Sequence, residues 1–168
     1  MAVDTRFWAE VSDDQLLAAV SETENVSFVM DVFRRLSPDP KWTKLALAQL
    51  EKGHVETRCF ISWLAREIQP ANYLEIGVRR GFSMVTVAAR APEAELFGFD
   101  MWVPGYAGVD NPGPRFVERE LQRVSKGKKP RFISGNSHET LPNFFSGGRA
   151  AWSTGCCGGR CLTPIRLT

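Results

Sequence analysis

The chain is poor in the residues that build metal centres, with two histidines and four cysteines. His54 and Cys59 stand five positions apart with no third nitrogen or sulfur donor beside them, which falls short of a metal site. Cys156, Cys157 and Cys161 contain no Cys-x-x-Cys pair and no fourth ligand, which sets zinc binding and dithiol chemistry aside. A disulfide scaffold is not expected, because Met1-Ala2-Val3-Asp4 lacks the charged-then-apolar opening of a secretory signal. No apolar run approaches the roughly 18 residues that a spanning helix needs, so a cytoplasmic protein without a membrane partner is expected. An excess of one charge is missing too. The formal net charge of +2 argues against a nucleic-acid partner and leaves a small molecule as the natural one. The single basic run, Lys126, Lys128, Lys129 and Arg131, reads as a solvated turn between a helix and a strand.

What the sequence does contain is a core. At 168 residues and 43% hydrophobic composition it is long and apolar enough for one globular domain. The first part, residues 1–54, reads as helical. Ser12 and Gln15 have capping-box spacing ahead of Leu16, Leu17 and Val20. Further helices are expected over 24–36, ended by Ser37-Pro38-Asp39-Pro40, over 41–52, and over 56–68 with Phe60, Ile61, Leu64 and Ile68 as its apolar stripe. Trp8, Trp42 and Trp63 read as core or lid aromatics.

The chemistry is concentrated in Tyr73-Leu74-Glu75-Ile76-Gly77-Val78-Arg79-Arg80-Gly81-Phe82-Ser83, an apolar strand that ends in an acid and turns through two glycines into a helix. Gly77 permits a tight turn, Gly81 permits close approach of a ligand or of the next helix, and the helix start offers unpaired N–H groups to a polar ligand. A dinucleotide fingerprint would place a glycine where Arg79 stands. Two further strand-and-helix steps follow. Glu95 to Asp100 reads as a second strand ending in an acid, about one βαβ step after Glu75. Asp100 there is either a ribose-binding carboxylate or a cap on the following loop. A helix over 114–126 leads to a third strand, 131–135, whose exit is Asn136-Ser137-His138-Glu139. The loop from Met101 to Gly113 leaves the end of the second strand, and its Trp102 and Tyr106 favour a substrate-facing loop or lid over a plain connector.

The spacing Glu75-x-Gly77-x-x-x-Gly81 resembles motif I of the class I S-adenosylmethionine-dependent methyltransferases. More narrowly, Leu74 to Ser83 is similar to the branch related to cephalosporin hydroxylases and small-molecule O-methyltransferases. The resemblance covers roughly residues 55–145 and implies an α/β fold with a doubly wound, Rossmann-like parallel sheet, here partial. It implies S-adenosylmethionine as cofactor, a small-molecule acceptor, and a cofactor-binding set of Glu75, Gly77, Gly81, Ser83, Asp100, Asn136 and Ser137. Glu75 would face the methionine amino group, Asp100 the ribose, and Asn136 with Ser137 the adenine; as residues, the last two read equally well as a turn capping the next helix. No residue is assigned a catalytic or metal-binding role, and His138 reads as a helix-start residue. Arg79 and Glu75 argue against the competing nicotinamide-dependent oxidoreductase.

The family's fourth strand, ending in an Asp-x-Asp-His-type segment, has no counterpart here. Residues 147–168 lack any helix or strand period and read as a tail foreign to the domain, such as a shifted reading frame would encode, or as a natural flexible tail. In a doubly wound sheet the first strand lies between the second and the fourth. An open edge along Asn72 to Ile76 is therefore expected, with self-association or marginal stability as its consequence. A non-catalytic remnant that at most binds the cofactor is the alternative to a working transferase.

Overall fold

The computed structural model describes residues 12–146 apart from 38, 53, 55, 109, 126 and 128. Trp8, the tail from Gly147 and Cys156, Cys157 and Cys161 lie outside the described residues. Four helices come first: α1 (Asp13–Val20), α2 (Thr23–Leu36), α3 (Pro40–Glu51) and α4 (Thr57–Ile68). Three strand-and-helix steps follow: β1 (Asn72–Ile76), α5 (Phe82–Arg90), β2 (Glu95–Asp100), α6 (Pro114–Gln122), β3 (Arg131–Ser134) and α7 (Ser137–Ser146). The fold is the expected mixed α/β arrangement, with a three-stranded parallel sheet in the order β1-β2-β3. Among the described residues no helix is long and apolar enough to cross a membrane.

The helical part forms where its caps and stripes predict. Ser12 Oγ accepts from Gln15 N at 3.3 Å while Gln15 Oε1 accepts from Ser12 N at 3.0 Å, the reciprocal capping box. α2 buries Val29, Met30, Phe33 and Leu36 on one face, and its fully buried Asn25 ties three helices together. Asn25 Nδ2 donates to the carbonyls of Val20 at 2.8 Å and Cys59 at 2.9 Å. The two bonds satisfy the amide's donors, while its Oδ1 is buried without a partner, so the tie between the helices carries a desolvation cost on that oxygen.

α4 differs from expectation. Its buried residues are Cys59, Ser62, Trp63 and Ala65, whereas Phe60, Ile61, Leu64 and Ile68 are half-buried. The reason is that α4 is packed on two sides. Phe60 and Leu64 join a cluster around Met30, Phe33 and Trp63, while Ile61 and Ala65 join the cluster beneath the sheet around Met84, Val87 and Leu96. A single-stripe reading suits a helix with one covered face, and this one bridges two cores.

Shorter differences have local causes. α6 stops at Gln122, not Lys126, where Val124 N bonds Leu121 O three residues back and the last turn tightens. α7 starts at Ser137 because Asn136 accepts there: its Oδ1 takes His138 N at 3.1 Å and its carbonyl takes Thr140 N at 2.9 Å. Asn136 is thus a helix cap, one of its two sequence readings.

Candidate functional site

The carboxyl ends of the three strands converge on a cavity of about 340 Å³. Such ends are where open α/β sheets bind ligands. β1 reaches it through Gly77, whose N–H donates to Phe99 O at 2.8 Å and extends the ladder by one bond before the chain turns at φ +79°. Nothing stands within 4 Å of a Cβ placed on Gly77, which lines the cavity. Gly81 serves the other purpose: at φ +75° it faces α6, and a Cβ there would lie 2.6 Å from Val117 Cγ1. The close approach that Gly81 permits is therefore that of a helix.

Asp100, at the end of β2, organises the turn and the loop. Its Oδ2 accepts from Arg79 N at 2.7 Å, and its Oδ1 accepts from Trp102 N at 2.6 Å and from Asn111 Nδ2 at 3.1 Å. The first bond holds Arg79 at φ +54°, a left-handed position that an L residue occupies only when its surroundings fix it. The loop-capping reading of Asp100 is what these bonds describe, and the carboxylate also lines the cavity. Two backbone donors and one amide use three of the carboxylate's roughly four acceptor positions and leave one for a ligand hydroxyl.

Two arginines to which the sequence assigns no binding role fasten the loop. Arg79 Nε donates to Asp110 O at 3.3 Å, and Arg80 pairs with the Asp110 carboxylate. Arg80 also donates through Nε to Leu36 O at 2.6 Å and lies 4.8 Å from the centre of the Phe116 ring. One side chain thus joins the glycine turn, the loop, α2 and α6. The signal was visible as two successive arginines between the glycines, but their partners lie about 30 and 44 positions away and cannot be read from spacing.

Glu75 sits apart. It does not line the cavity; burial pushes its carboxyl up to about 7, against the pull of the Tyr73 hydroxyl, Arg58 and the backbone of Met84. Tyr73 Oη donates to Glu75 Oε2 at 3.4 Å, and the Tyr73 hydroxyl is itself pushed well above its ordinary value, chiefly by burial. Ser83, in the first turn of α5, belongs to this group through Tyr73.

Of the seven sequence-derived residues, the cavity brings together Gly77, Asp100, Asn136 and Ser137, while Glu75, Gly81 and Ser83 are outside its lining. It adds Ile76, Asn111, Tyr106 and His138. His138 follows the cap of α7, as its helix-start reading supposes, and faces the cavity as well. His54 and Cys59 do not meet: the His54 ring bonds Gln49 Oε1 at 2.8 Å, and burial pushes the Cys59 thiol up to about 11. Among the described residues no group of three His, Cys, Asp or Glu side chains is placed to hold a metal ion. Set against family models, curated proteins and solved structures, the chain finds no match.

Proposed function

We propose that the chain is a methyltransferase-type domain that binds S-adenosylmethionine at the carboxyl ends of β1, β2 and β3 and acts on a small-molecule acceptor. The observation that carries this reading is the meeting of Gly77, Asp100, Asn136 and Ser137 around one cavity, since these come from three separate strand exits. The cavity's size, near the lower end for small-molecule sites, suits the nucleoside part of such a cofactor. Asp100 would receive a ribose hydroxyl, and Asn136 and Ser137, at the start of α7, would hold the base edge. S-adenosylmethionine supplies an electrophilic methyl group, and the protein's share of that chemistry is positioning and the exclusion of water.

Glu75 fits less well, because its carboxyl is engaged with Tyr73 and the start of α5. That favours a second reading, a domain that binds the nucleoside without transferring a methyl group. A third reading, self-association through β1, is favoured by the edge this strand presents: among the described residues it pairs only with β2.

Calorimetric titration of the full chain with S-adenosylmethionine, S-adenosylhomocysteine and NAD tests the cofactor. Binding of the first two without NAD is expected; NAD alone would return the site to the nicotinamide class, and no heat with any of them would leave the cavity without its proposed ligand. Adenosine binding as tightly as S-adenosylhomocysteine would favour the second reading.

A further inference from the structure

Among the described residues, most of the exposed large apolar side chains stand at one place. Among the described residues seven large hydrophobic side chains are exposed, and four of them, Ile76, Met101, Val103 and Tyr106, line the cavity at the strand ends. Single exposed apolar residues need no explanation, whereas a group around a concavity marks a binding surface. Tyr106 is the most exposed of the four, at 61%.

The loop that carries Tyr106 is held rather than loose. Asp100 Oδ1 accepts from Trp102 N and from Asn111 Nδ2, so one carboxylate oxygen closes the base of the segment between them. Arg79 and Arg80 hold the far end at Asp110. Between these clamps a short 3-10 turn, Tyr106–Gly108, is closed by Gly108 N donating to Gly105 O at 3.0 Å. A clamped loop presents its aromatic ring at the cavity rim with little ordering left to do on binding. The same cavity is also lined by Asn111, Asn136 and Ser137, which supply hydrogen-bonding groups.

We infer that Tyr106 is the stacking platform of this site, holding the flat heteroaromatic ring of the ligand while the asparagines and Ser137 bond its polar edge. The inference rests on the cofactor reading above and goes beyond it, because it assigns ring affinity to a loop residue outside the strand-end motifs. Tyr106 is a positioning residue and takes no part in bond making.

The test compares Tyr106→Phe and Tyr106→Ala with the wild-type chain by calorimetric titration with S-adenosylhomocysteine, after thermal melting has been matched. Stacking on an aromatic ring predicts binding within about twofold of wild type for Phe and between about fivefold and a hundredfold weaker for Ala. Unchanged affinity in Tyr106→Ala would overturn the inference and leave the cofactor reading standing. Equal losses in both variants would also overturn it, by assigning the effect to the hydroxyl. If wild type binds NAD instead, the cofactor reading falls and the same comparison run with NAD still decides the role of Tyr106. If neither ligand binds, both fall.

Discussion

β1 and β2 are alike as sequences and opposite as structure. Each is a short apolar strand with an acid at its last or next-to-last position, and they run parallel with Asn72 opposite Glu95 and Ile76 opposite Phe99. β2 is covered: Leu96, Phe97, Gly98 and Phe99 are all buried. No residue of β1 is, and Ile76 is 55% exposed. Their acids invert the contrast. Asp100, on the covered strand, reaches the cavity and staples the loop, whereas Glu75, half-buried on the open strand, lies off the cavity lining and bonds Tyr73. An acid at a strand end therefore becomes a ligand-facing group or an internal one according to what packs around it, and the strand's own burial does not decide which.

Removing the Phe99 side chain should have the largest effect. Phe99 is fully buried near the carboxyl end of the central strand, and Phe99→Ala should lower stability by about 3–5 kcal/mol, while Ile76→Ala on β1 should cost less than about 1 kcal/mol. Denaturant unfolding of the two variants checks this; comparable losses would show that the β1 edge is covered in solution. Gly81→Ala should come next, at about 2–4 kcal/mol, since it combines a positive φ with a 2.6 Å approach to Val117. Gly77→Ala has the strain alone and should cost about 1 kcal/mol, with any ligand affinity suffering more than stability, because Gly77 lines the cavity.

The two acids should separate by pH. Glu75 holds its proton more tightly in the folded chain, with a value of about 7 against the ordinary 4.5. The stability from that proton is full below about pH 4.5 and is lost as the pH rises through about 7. Glu75→Gln should therefore raise the melting temperature at pH 8, by an amount equivalent to about 1–3 kcal/mol, and leave it unchanged near pH 4. A pH-independent effect would show that the Glu75 carboxyl is not desolvated in the folded chain. The smallest effect concerns the edge itself: Ile76→Lys should reduce any concentration-dependent association seen by sedimentation velocity, with little change in melting.

Much of this contrast was legible in the sequence, and the illegible part has a physical pattern. β1 and β2 fall where the apolar runs and terminal acids put them, and Ser12 with Gln15 forms the expected capping box, because these signals are local. The cavity's Gly77, Asp100, Asn136 and Ser137 were legible as strand exits. The roles of Arg79 and Arg80 were not, as they depend on Asp110, Asp100 and Leu36, which meet only after the strands pair and the helices dock. The buried face of α4 was missed for the same reason: two cores claim it at once. Gly81 was read as permitting a ligand or a helix, and only the position of Val117 decides between them.

The most direct test of the account is a map of amide chemical shifts in the isotope-labelled full chain as S-adenosylhomocysteine is added. The largest changes are expected at Gly77, Asp100, Tyr106, Asn136 and Ser137, around the strand-end cavity, with smaller ones at Glu75. Shifts confined to the opposite end of the sheet, near Glu95, Lys129 and Arg131, or no shifts at saturating ligand, would contradict it.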